Sequence, residues 1–416
     1  MTSGAAPVDR SAPGPAEGAP ALLATARSLW PGARVEQVAR GRAGHGGAGE
    51  HYALLPDARR AQLLVPARPA AASSALRRFS AASSGRDVVT RLAAAGLTRA
   101  TRGAVLRDRV VVERGPHDAA LRDHLGEVLG TPVDVALGVG PARVNRKPVL
   151  QLFDGDGRTV AFAKVGDSPQ ARRDVRAETR ALRRLAGHRF AHLQVPAVLA
   201  ASTWNGMDVL VVSPLRGAPT LRRRAAVRPP LAAMAELAGA FGEAARPLAE
   251  LAWWQQQLAT ARAGGESDLR RRLVGCLGVL DEQHGRTTVD VGAWHGDWTP
   301  WNMARRGSRV MLWDWERFET GVPAGLDPCH HRVQTATRAR GIDAAVVASA
   351  LAPDGPDGAD GPRAGLVGDL YLAALAGRYA ALLDAERGSD IAGPAEVMIS
   401  ALEARTRTVR SPGRDG

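Results

Sequence analysis

The chain has 416 residues, enough for two or three domains that each bury a hydrophobic core. It carries 55 basic and 42 acidic residues, and a net charge of +13 can indicate nucleic-acid binding. The arginines are spread along the whole chain, however, and aromatic residues make up only 4% of it. No nucleic-acid-binding motif occurs either, so composition argues against that class of protein.

The two cysteines, Cys276 and Cys329, provide no disulfide framework and favour a reducing, cytoplasmic location. No apolar run reaches the roughly 18 residues that a transmembrane helix needs, so the sequence predicts no membrane span. The first 20 residues are rich in Ala, Gly and Pro and lack the apolar core of a secretory signal. We expect residues 1–20 to be disordered.

Residues 21–125 form an N-terminal α/β unit whose role the sequence does not define. The segments EHYALLP and AQLLVPA predict a strand pair, and SSALRRF and DVVTRLAAAG predict helices. Two alternatives remain open at this point. The unit either extends the sheet that follows it in the chain or forms a separate module.

Three short strands are predicted next, at VDVALGVG, KPVLQLF and RTVAFAKV. Residues 154–157, Asp-Gly-Asp-Gly, are typical of a tight hairpin between the second and third strands. The third strand ends at Lys164, which is one of only two lysines in a chain whose other basic residues are all arginine. A compact ammonium group at the end of a strand is suited to contact phosphate oxygens.

A helix is predicted after the third strand, over the segment SPQARRDVRAETRALRRLAG. Ser168 can cap this helix, and Pro169 suits its first turn. The segment MDVLVVSPL then predicts a buried strand that ends near Ser213.

The strongest pattern lies in residues 294–318, WHGDWTPWNMARRGSRVMLWDWERF. Asn302 follows Asp297 by five positions, and Asp314 follows twelve positions later, which is the spacing of a phosphoryl-transfer site. The intervening run predicts a hairpin, with WNMA paired to VMLWDW across RRGS. That hairpin would place Asn302 and Asp314 side by side, and amide and carboxylate oxygens are ligands that Mg²⁺ accepts.

The motifs HGDWTPWN and LWDWE resemble the signature of the aminoglycoside phosphotransferase and choline kinase-like family, which is related to the protein kinases. The resemblance extends over about residues 130–400. It implies that Asp297 is the catalytic base, with His295 beside it in the catalytic group. It also implies that Asn302 and Asp314 are metal ligands and that Glu316 lies beside the metal. Asp327 falls where such enzymes often have an aspartate that braces the catalytic loop.

The same resemblance assigns nucleotide-binding roles in the preceding strands. Lys164 would contact the nucleotide phosphates and would be braced by Glu178. The alternative for Glu178 is an exposed side chain paired with an arginine of its own helix. The loop that contains Gly138 and Gly140 would cover the phosphates, or it is an ordinary hairpin. The segment from Ser213 to Leu215 would form the hinge that meets adenine.

The resemblance implies an α+β, bilobal, protein kinase-like fold. A small antiparallel-sheet N-lobe with one braced helix would occupy residues 126–212. A mostly helical C-lobe with the catalytic loop would occupy residues 213–403. The extension at 21–125 would precede these lobes, and residues 404–416 would form a flexible tail.

The function expected from these features is Mg²⁺-dependent transfer of a γ-phosphoryl group from ATP or GTP to a hydroxyl of a small molecule. Gly296 stands where protein kinases have arginine, and Trp315-Glu316 replaces Phe-Gly, so we do not expect a protein acceptor. Trp298 and Trp301 could stack on a sugar or an amine. The alternatives are an inactive nucleotide-binding regulator on the same fold and a basic nucleic-acid-binding protein. The sequence does not predict an oligomeric state.

Overall fold

The structure is a computed structural model that describes residues 18–38, 49–59, 61–77, 85–115, 120–138, 147–215, 228–265, 267–352, 362–385 and 389–409. The chain divides into two compact units. Unit 1 consists of residues 1–79, 83–183 and 196–216, and unit 2 consists of residues 80–82, 184–195 and 217–416. Unit 1 is built on an antiparallel sheet and unit 2 is mostly helical, so the predicted α+β class is confirmed.

Within the described residues, unit 1 combines nine strands in one sheet with five helices. The strands are β1 (Arg34–Val38), β2 (Glu50–Leu55), β3 (Leu63–Pro66), β4 (Arg109–Glu113), β5 (Asp134–Gly138), β6 (Val149–Phe153), β7 (Thr159–Gly166), β9 (Val198–Trp204) and β10 (Met207–Val212). The helices are α1 (Gly18–Leu29), α2 (Pro69–Leu76), α3 (Gly85–Ala100), α4 (Leu121–Leu129) and α5 (Pro169–Leu185), the last of which begins in unit 1.

The N-terminal extension contributes four strands to this sheet, whose order is β1-β4-β2-β3-β5-β6-β7-β10-β9. β3 pairs with β5 in antiparallel register, with Leu64 opposite Leu137. One hydrophobic core contains side chains from both parts, among them Leu64, Leu137 and Leu152, each fully buried. Of the two alternatives for residues 21–125, the strand pairing therefore favours extension of the sheet.

The strands that follow are formed where the sequence predicts them. β6 and β7 make a hairpin across residues 154–157, and Val149 lies opposite Lys164. Every residue of β10 is buried, and its last four residues form the apolar run Val209–Val212. At Gly157, with φ of 76°, an added Cβ would lie 2.6 Å from the Ala70 backbone. The close approach of α2 to the hairpin therefore requires glycine there.

Unit 2 combines seven helices with two three-stranded sheets, ordered β11-β12-β15 and β13-β14-β8, over its described residues. The strands are β8 (Leu193–Gln194), β11 (Glu243–Pro247), β12 (Thr288–Trp294), β13 (Met303–Arg306), β14 (Arg309–Leu312) and β15 (Glu319–Pro323). The helices are α6 (Leu231–Ala240), α7 (Ala252–Ala263), α8 (Asp268–His284), α9 (Leu326–Arg340), α10 (Ala344–Ala350), α11 (Pro362–Ala385) and α12 (Ser389–Val409).

The centre of unit 2 is α11, which packs against α7, α8, α9 and α12. Its residues Leu370, Tyr371 and Leu372 are fully buried. The segment Gly365–Asp384 is long and apolar enough, by length and composition, to cross a membrane, although the sequence predicted no membrane span. Within the structure it is a core helix, since 61% of its apolar window is buried.

Two predicted boundaries need correction. α1 begins at Gly18, so residues 18–20 are helical although they were assigned to a disordered tail. α12 continues to Val409, so residues 404–409 are helical although they were assigned to a flexible tail. In α12, Leu402 and Thr406 are buried, and burial of this face carries the helix past the polar residues that suggested a tail.

Candidate active site

The segment of residues 295–302 connects β12 to β13 in unit 2, and the predicted hairpin follows it. β13 and β14 pair with Met303 opposite Leu312. Just before this ladder, the Trp313 N–H donates to the carbonyl of Asn302 at 3.0 Å. Asp314 is the next residue in the chain, so Asn302 and Asp314 both lie at the open end of the hairpin, as the spacing predicted.

Asp327, in the first turn of α9, holds the start of the loop. Its carboxylate accepts the His295 N–H at 2.7 Å and the Gly296 N–H at 3.2 Å. Burial raises the pKa of Asp327 to about 7, although both N–H donors favour the charged form. The side chain thus occupies the bracing position that the family resemblance implied for it.

Gly296 has to be glycine at this point in the loop. Its φ is 78°, and a Cβ added there would lie 2.4 Å from the carbonyl oxygen of Arg317. Arg378 of α11 donates to the Gly296 carbonyl at 2.7 Å, and its guanidinium lies 4.3 Å from the centroid of the Trp294 ring. Burial lowers the pKa of Arg378. A helix remote in sequence therefore holds the peptide that precedes Asp297.

His295 is a structural part of the loop, which corrects its assignment to the catalytic group. Its side chain is fully buried, so it has no surface with which to touch a substrate. Nδ1 accepts the Asp297 N–H at 3.2 Å, and Nε2 lies 3.2 Å from the carbonyl oxygen of Trp313, to which it donates. Burial lowers the pKa of His295 to about 4, so the ring is neutral near pH 7.

Asp297 is the one carboxylate of the loop itself, and its side chain is 42% exposed. Its Oδ2 accepts the Asn302 amide N–H at 2.8 Å, and its Oδ1 lies 3.1 Å from Nε2 of His330. An exposed carboxylate held at both oxygens can present its remaining lone pairs to a hydroxyl group in a fixed direction.

Sequence reasoning did not find His330. Its neighbours Cys329 and His331 are both buried. A usable signal was present, because His330 lies three positions after Asp327 on one helix and so on the same helical face. A helix whose first turn braces the loop places its second turn beside that loop.

The expected metal ligands have suitable chemistry. Because the Asn302 amide nitrogen donates to Asp297, its amide oxygen is the atom left to face a cation. Asp314 has φ of 67°, a left-handed conformation that turns the chain at the end of β14. An amide oxygen and a carboxylate suit a hard cation that also binds phosphate oxygens. In the part of the chain that the structure describes, no group of three or more His, Cys, Asp or Glu side chains forms a metal cluster.

Glu316 and the loop tryptophans occupy well-defined positions. Glu316 lies in a single 3₁₀ turn, Trp315–Arg317, directly after Asp314, and its side chain is 19% exposed. Trp298 is fully buried and donates its indole N–H to the sulfur of Met303. Burial excludes Trp298 as a stacking surface for an acceptor. Trp301 is partly exposed, and the Arg338 guanidinium lies 4.8 Å from its ring centroid.

Unit 1 contains the predicted lysine–glutamate pair. Lys164 on β7 places Nζ 2.7 Å from each carboxylate oxygen of Glu178 on α5. Their side chains are only 8% and 2% exposed. Of the two alternatives for Glu178, the structure shows the buried brace and not an exposed partner of helix arginines. A lysine ammonium held from one side by a carboxylate keeps its charge and a fixed direction.

The other nucleotide-binding predictions fall partly outside the described residues. Gly138 is the last residue of β5 and pairs with Val149, whereas Gly140 lies in the undescribed segment 139–146. Ser213 continues the pairing of β9 and β10, since its N–H donates to the Ala197 carbonyl and its hydroxyl accepts the Ala197 N–H. Its backbone N–H is therefore engaged within the sheet. Leu215 is partly buried.

The family comparison agrees with the motif. Residues 149–324 match the model of a phosphotransferase enzyme family. This segment includes both Lys164 on β7 and the loop of residues 295–302, and it covers less than half of the chain. The family resemblance predicted from the sequence is confirmed over these residues. Comparison with curated proteins finds no match.

Several solved structures are similar over most of the chain at low identity. A thermostable mutant of aminoglycoside phosphotransferase APH(4)-Ia, in ternary complex with ADP and hygromycin B, is 14% identical with a TM-score of 0.49, covering 72% of this chain and all of its own. A choline/ethanolamine kinase family protein from Mesorhizobium loti is 15% identical with a TM-score of 0.40, covering 63% and 86%. The amicoumacin kinase hAmiN, in complex with AMP-PNP, Ca²⁺ and Ami, is 13% identical with a TM-score of 0.40, covering 64% and 88%. None of these likenesses is strong enough to define a substrate.

Proposed function

We propose, on the premise that residues 149–324 belong to the phosphotransferase enzyme family, that this protein transfers the γ-phosphoryl group of ATP or GTP to a hydroxyl of a small molecule. Asp297 is the base in this proposal. Asn302 and Asp314 hold Mg²⁺, with Glu316 beside it, and Lys164 braced by Glu178 contacts the nucleotide phosphates.

The arrangement of Asp297 is the observation that carries the proposal. Its carboxylate is 42% exposed, while the residues that hold it are buried, including His330 at 3% and Asn302 at 5%. An exposed side chain with only a structural role would not need hydrogen bonds from buried residues to both of its carboxylate oxygens. A base that must align with an attacking hydroxyl gains a fixed direction, and alignment is the main demand of phosphoryl transfer.

The remaining residues supply charge where a nucleotide has it. When Mg²⁺ is bound, it neutralises charge on the phosphate oxygens, and the amide oxygen of Asn302 and carboxylate of Asp314 would hold it. The Lys164 ammonium would contact other phosphate oxygens as a compact charge, and Glu178 holds it in place through a buried ion pair.

The acceptor is expected to be a small alcohol or sugar and not a polycation. Arg378 interacts electrostatically with Glu319, Arg317 and Asp297, and Arg338 stacks on Trp301 of the same loop. The chain as a whole carries a net charge of +13, which disfavours recognition of a polycationic antibiotic.

The test is a screen of hydroxylated acceptors with Mg-ATP and Mg-GTP, in which ADP or GDP release and phosphorylated product are both measured. We expect Asp297→Asn to lower kcat by about three orders of magnitude or more while nucleotide affinity changes little, because the base acts on the acceptor. Asp314→Ala should instead weaken Mg²⁺-dependent nucleotide binding itself.

Asp290→Asn is the matched control, because it removes the same charge from an exposed position on β12. Near-normal turnover by Asp297→Asn would refute the assignment of the base. Tight Mg-nucleotide binding without transfer to any acceptor or to water would identify the protein as an inactive regulator. Salt-sensitive binding to nucleic acid without Mg-dependent nucleotide binding would point to the basic binding protein.

A further inference from the structure

Three side chains of unit 2 form a hydrogen-bonded chain that starts at Asp297, the proposed catalytic base, and leads into the protein interior. His330 on α9 places Nε2 3.1 Å from Oδ1 of Asp297. Its Nδ1 lies 3.3 Å from the hydroxyl oxygen of Tyr371 on α11. His330 is 3% exposed and Tyr371 is fully buried, so only Asp297 at the end of the chain reaches solvent.

The roles of the two ring nitrogens of His330 follow from their partners. An ionised carboxylate only accepts hydrogen bonds, so Nε2 must carry the proton that it donates to Asp297. In a neutral ring, Nδ1 is then the acceptor, and the Tyr371 hydroxyl donates to it. Burial raises the pKa of Tyr371 well above its usual value, so the hydroxyl retains the proton that it donates.

The pair of donors on Asp297 fixes the plane of its carboxylate. Asn302 donates to Oδ2 and His330 donates to Oδ1, from opposite sides of the group. Rotation about the Asp297 side chain would break one of these bonds. The lone pairs that point to solvent therefore keep a constant direction before any acceptor arrives.

We propose that His330, oriented by Tyr371, is a positioning residue that aligns the Asp297 carboxylate for proton acceptance from the acceptor hydroxyl. It contacts no substrate and transfers no proton in this scheme. The inference rests on the proposed function, because it assigns Asp297 the role of base. It predicts that loss of the Nε2–H donor harms turnover and leaves nucleotide binding nearly unchanged.

The kinetic test compares variants at His330 with a buried control on the same helix. Turnover without an organic acceptor is followed as Mg-ATP hydrolysis to ADP, with water as the acceptor. We expect His330→Leu to lower kcat about 10- to 100-fold, as is typical when a group that orients an active residue is removed. The KM for ATP should change less than about three-fold, since only the acceptor side is affected.

Rescue distinguishes positioning from a structural role. His330→Gln retains an N–H donor and should recover most of the turnover, whereas His330→Leu cannot. Tyr371→Phe should have a smaller effect, about two- to five-fold, because Asp297 still determines which nitrogen of the ring is protonated. Cys329→Ala, the adjacent buried residue on α9, should leave kcat close to that of the wild type.

A spectroscopic test needs no activity. In the protein labelled with ¹⁵N-histidine, the His330 resonances, identified by their loss in His330→Gln, should show a protonated Nε2 and an unprotonated Nδ1. Asp297→Ala should shift the Nε2 resonance and speed exchange of its proton with solvent. Tyr371→Phe should shift mainly Nδ1.

The outcomes separate this inference from the proposed function. If His330→Leu keeps kcat within about two-fold of the wild type while Asp297→Asn abolishes turnover, the positioning role is refuted and the base stands. If the wild type transfers phosphate to no acceptor, water included, the proposed function fails. In that case a His330 spectrum that does not respond to Asp297→Ala would also refute the contact itself.

Discussion

The lysine site of unit 1 and the catalytic loop of unit 2 are held in two different ways. Lys164, on a strand, contacts both oxygens of the buried Glu178 carboxylate, which lies on the helix that follows that strand. The loop of residues 295–302 depends on side chains from α9 and α11, and each of them contributes one or two hydrogen bonds. The first arrangement is a buried ion pair between neighbouring elements, whereas the second distributes the hydrogen bonds of the loop over two later helices.

This difference has consequences for mutation. Loss of Glu178 removes the carboxylate that compensates the buried Lys164 ammonium, which is costly for the whole unit. Loss of one loop contact leaves the others in place and should affect the direction of Asp297 more than the stability of the fold. Removal of the side-chain partner at the lysine site should therefore act mainly on stability, whereas removal of one side-chain contact of the loop should act mainly on turnover.

The largest expected effect is that of Glu178→Ala. It leaves the Lys164 ammonium, whose side chain is 8% exposed, without its carboxylate, and we expect the free energy of unfolding to fall by about 3–5 kcal/mol. Urea denaturation measures this loss. The control is Asp156→Ala, because Asp156 pairs with Arg158 at the surface, where the two side chains are 72% and 77% exposed, and should matter by about 1 kcal/mol or less.

A double variant separates charge burial from simple packing. Lys164→Met combined with Glu178→Leu removes both charges and should recover most of the lost stability, because apolar pairs replace buried ion pairs at little cost. Nucleotide binding should stay impaired in this double variant. Equal stability losses in Glu178→Ala and Asp156→Ala would mean that the buried ion pair contributes no more than an exposed one.

The same contrast explains what the sequence could predict. Lys164 and Glu178 lie 14 residues apart, on a strand and the helix after it, so the family resemblance could assign both once these two elements were predicted. Asn302 and Asp314 belong to one hairpin, and strand pairing brings them to the same end. Each of these predictions needed only the order of neighbouring elements.

The supports of the loop needed the tertiary structure. His330 lies 33 residues after Asp297, and Arg378 lies 82 residues after Gly296. Each is on a helix, and the sequence does not define which face of that helix meets the loop. Burial also changed the interpretation of His295 and Trp298, since a motif shows neighbours along the chain and not exposure. The extension of the sheet by residues 21–125 likewise depends on the pairing of β3 with β5.

An effect of intermediate size is expected for Gly296→Ala, which tests whether the loop needs its close approach to the Arg317 backbone. Gly296→Ala places a Cβ 2.4 Å from the Arg317 carbonyl oxygen at φ of 78°, whereas Gly307→Ala, at φ of 60°, meets no atom within 4 Å. Both should lose about 1–2 kcal/mol for the left-handed conformation. Gly296→Ala should lose roughly 1–3 kcal/mol more, because the loop must shift.

Thermal or urea unfolding measures the two glycine variants side by side, and kcat provides a second reading. Only Gly296→Ala should lower kcat, since it moves the peptide that Arg378 and Asp327 hold. Equal losses in both variants would show that left-handed strain, and not close packing against Arg317, accounts for the glycine.

The smallest expected effect concerns the pH dependence of stability that the buried loop imposes. The folded-state pKa of His295 is about 4, below the ordinary value of 6.5, because burial disfavours the charged ring. Between these values the unfolded chain binds more protons than the folded chain, so stability rises with pH in this window and is lost as pH falls below 6.5. From pH 7 to pH 5.5, the contribution of His295 to the free energy of unfolding should fall by about 1 kcal/mol.

The difference in unfolding free energy between the wild type and His295→Gln isolates this effect, because other titrating groups contribute equally to both proteins. That difference should shrink as pH falls from 7 to 5.5 and should stay constant above pH 7.

Asp327 acts in the opposite direction, since burial raises its pKa to about 7 and its ionisation costs stability as pH rises. In His295→Gln, the Asp327 contribution is no longer offset, so stability should fall with rising pH between about 4 and 7. A pH-independent difference would mean that the His295 ring reaches water in the folded protein, and that the loop is held less firmly than its contacts indicate.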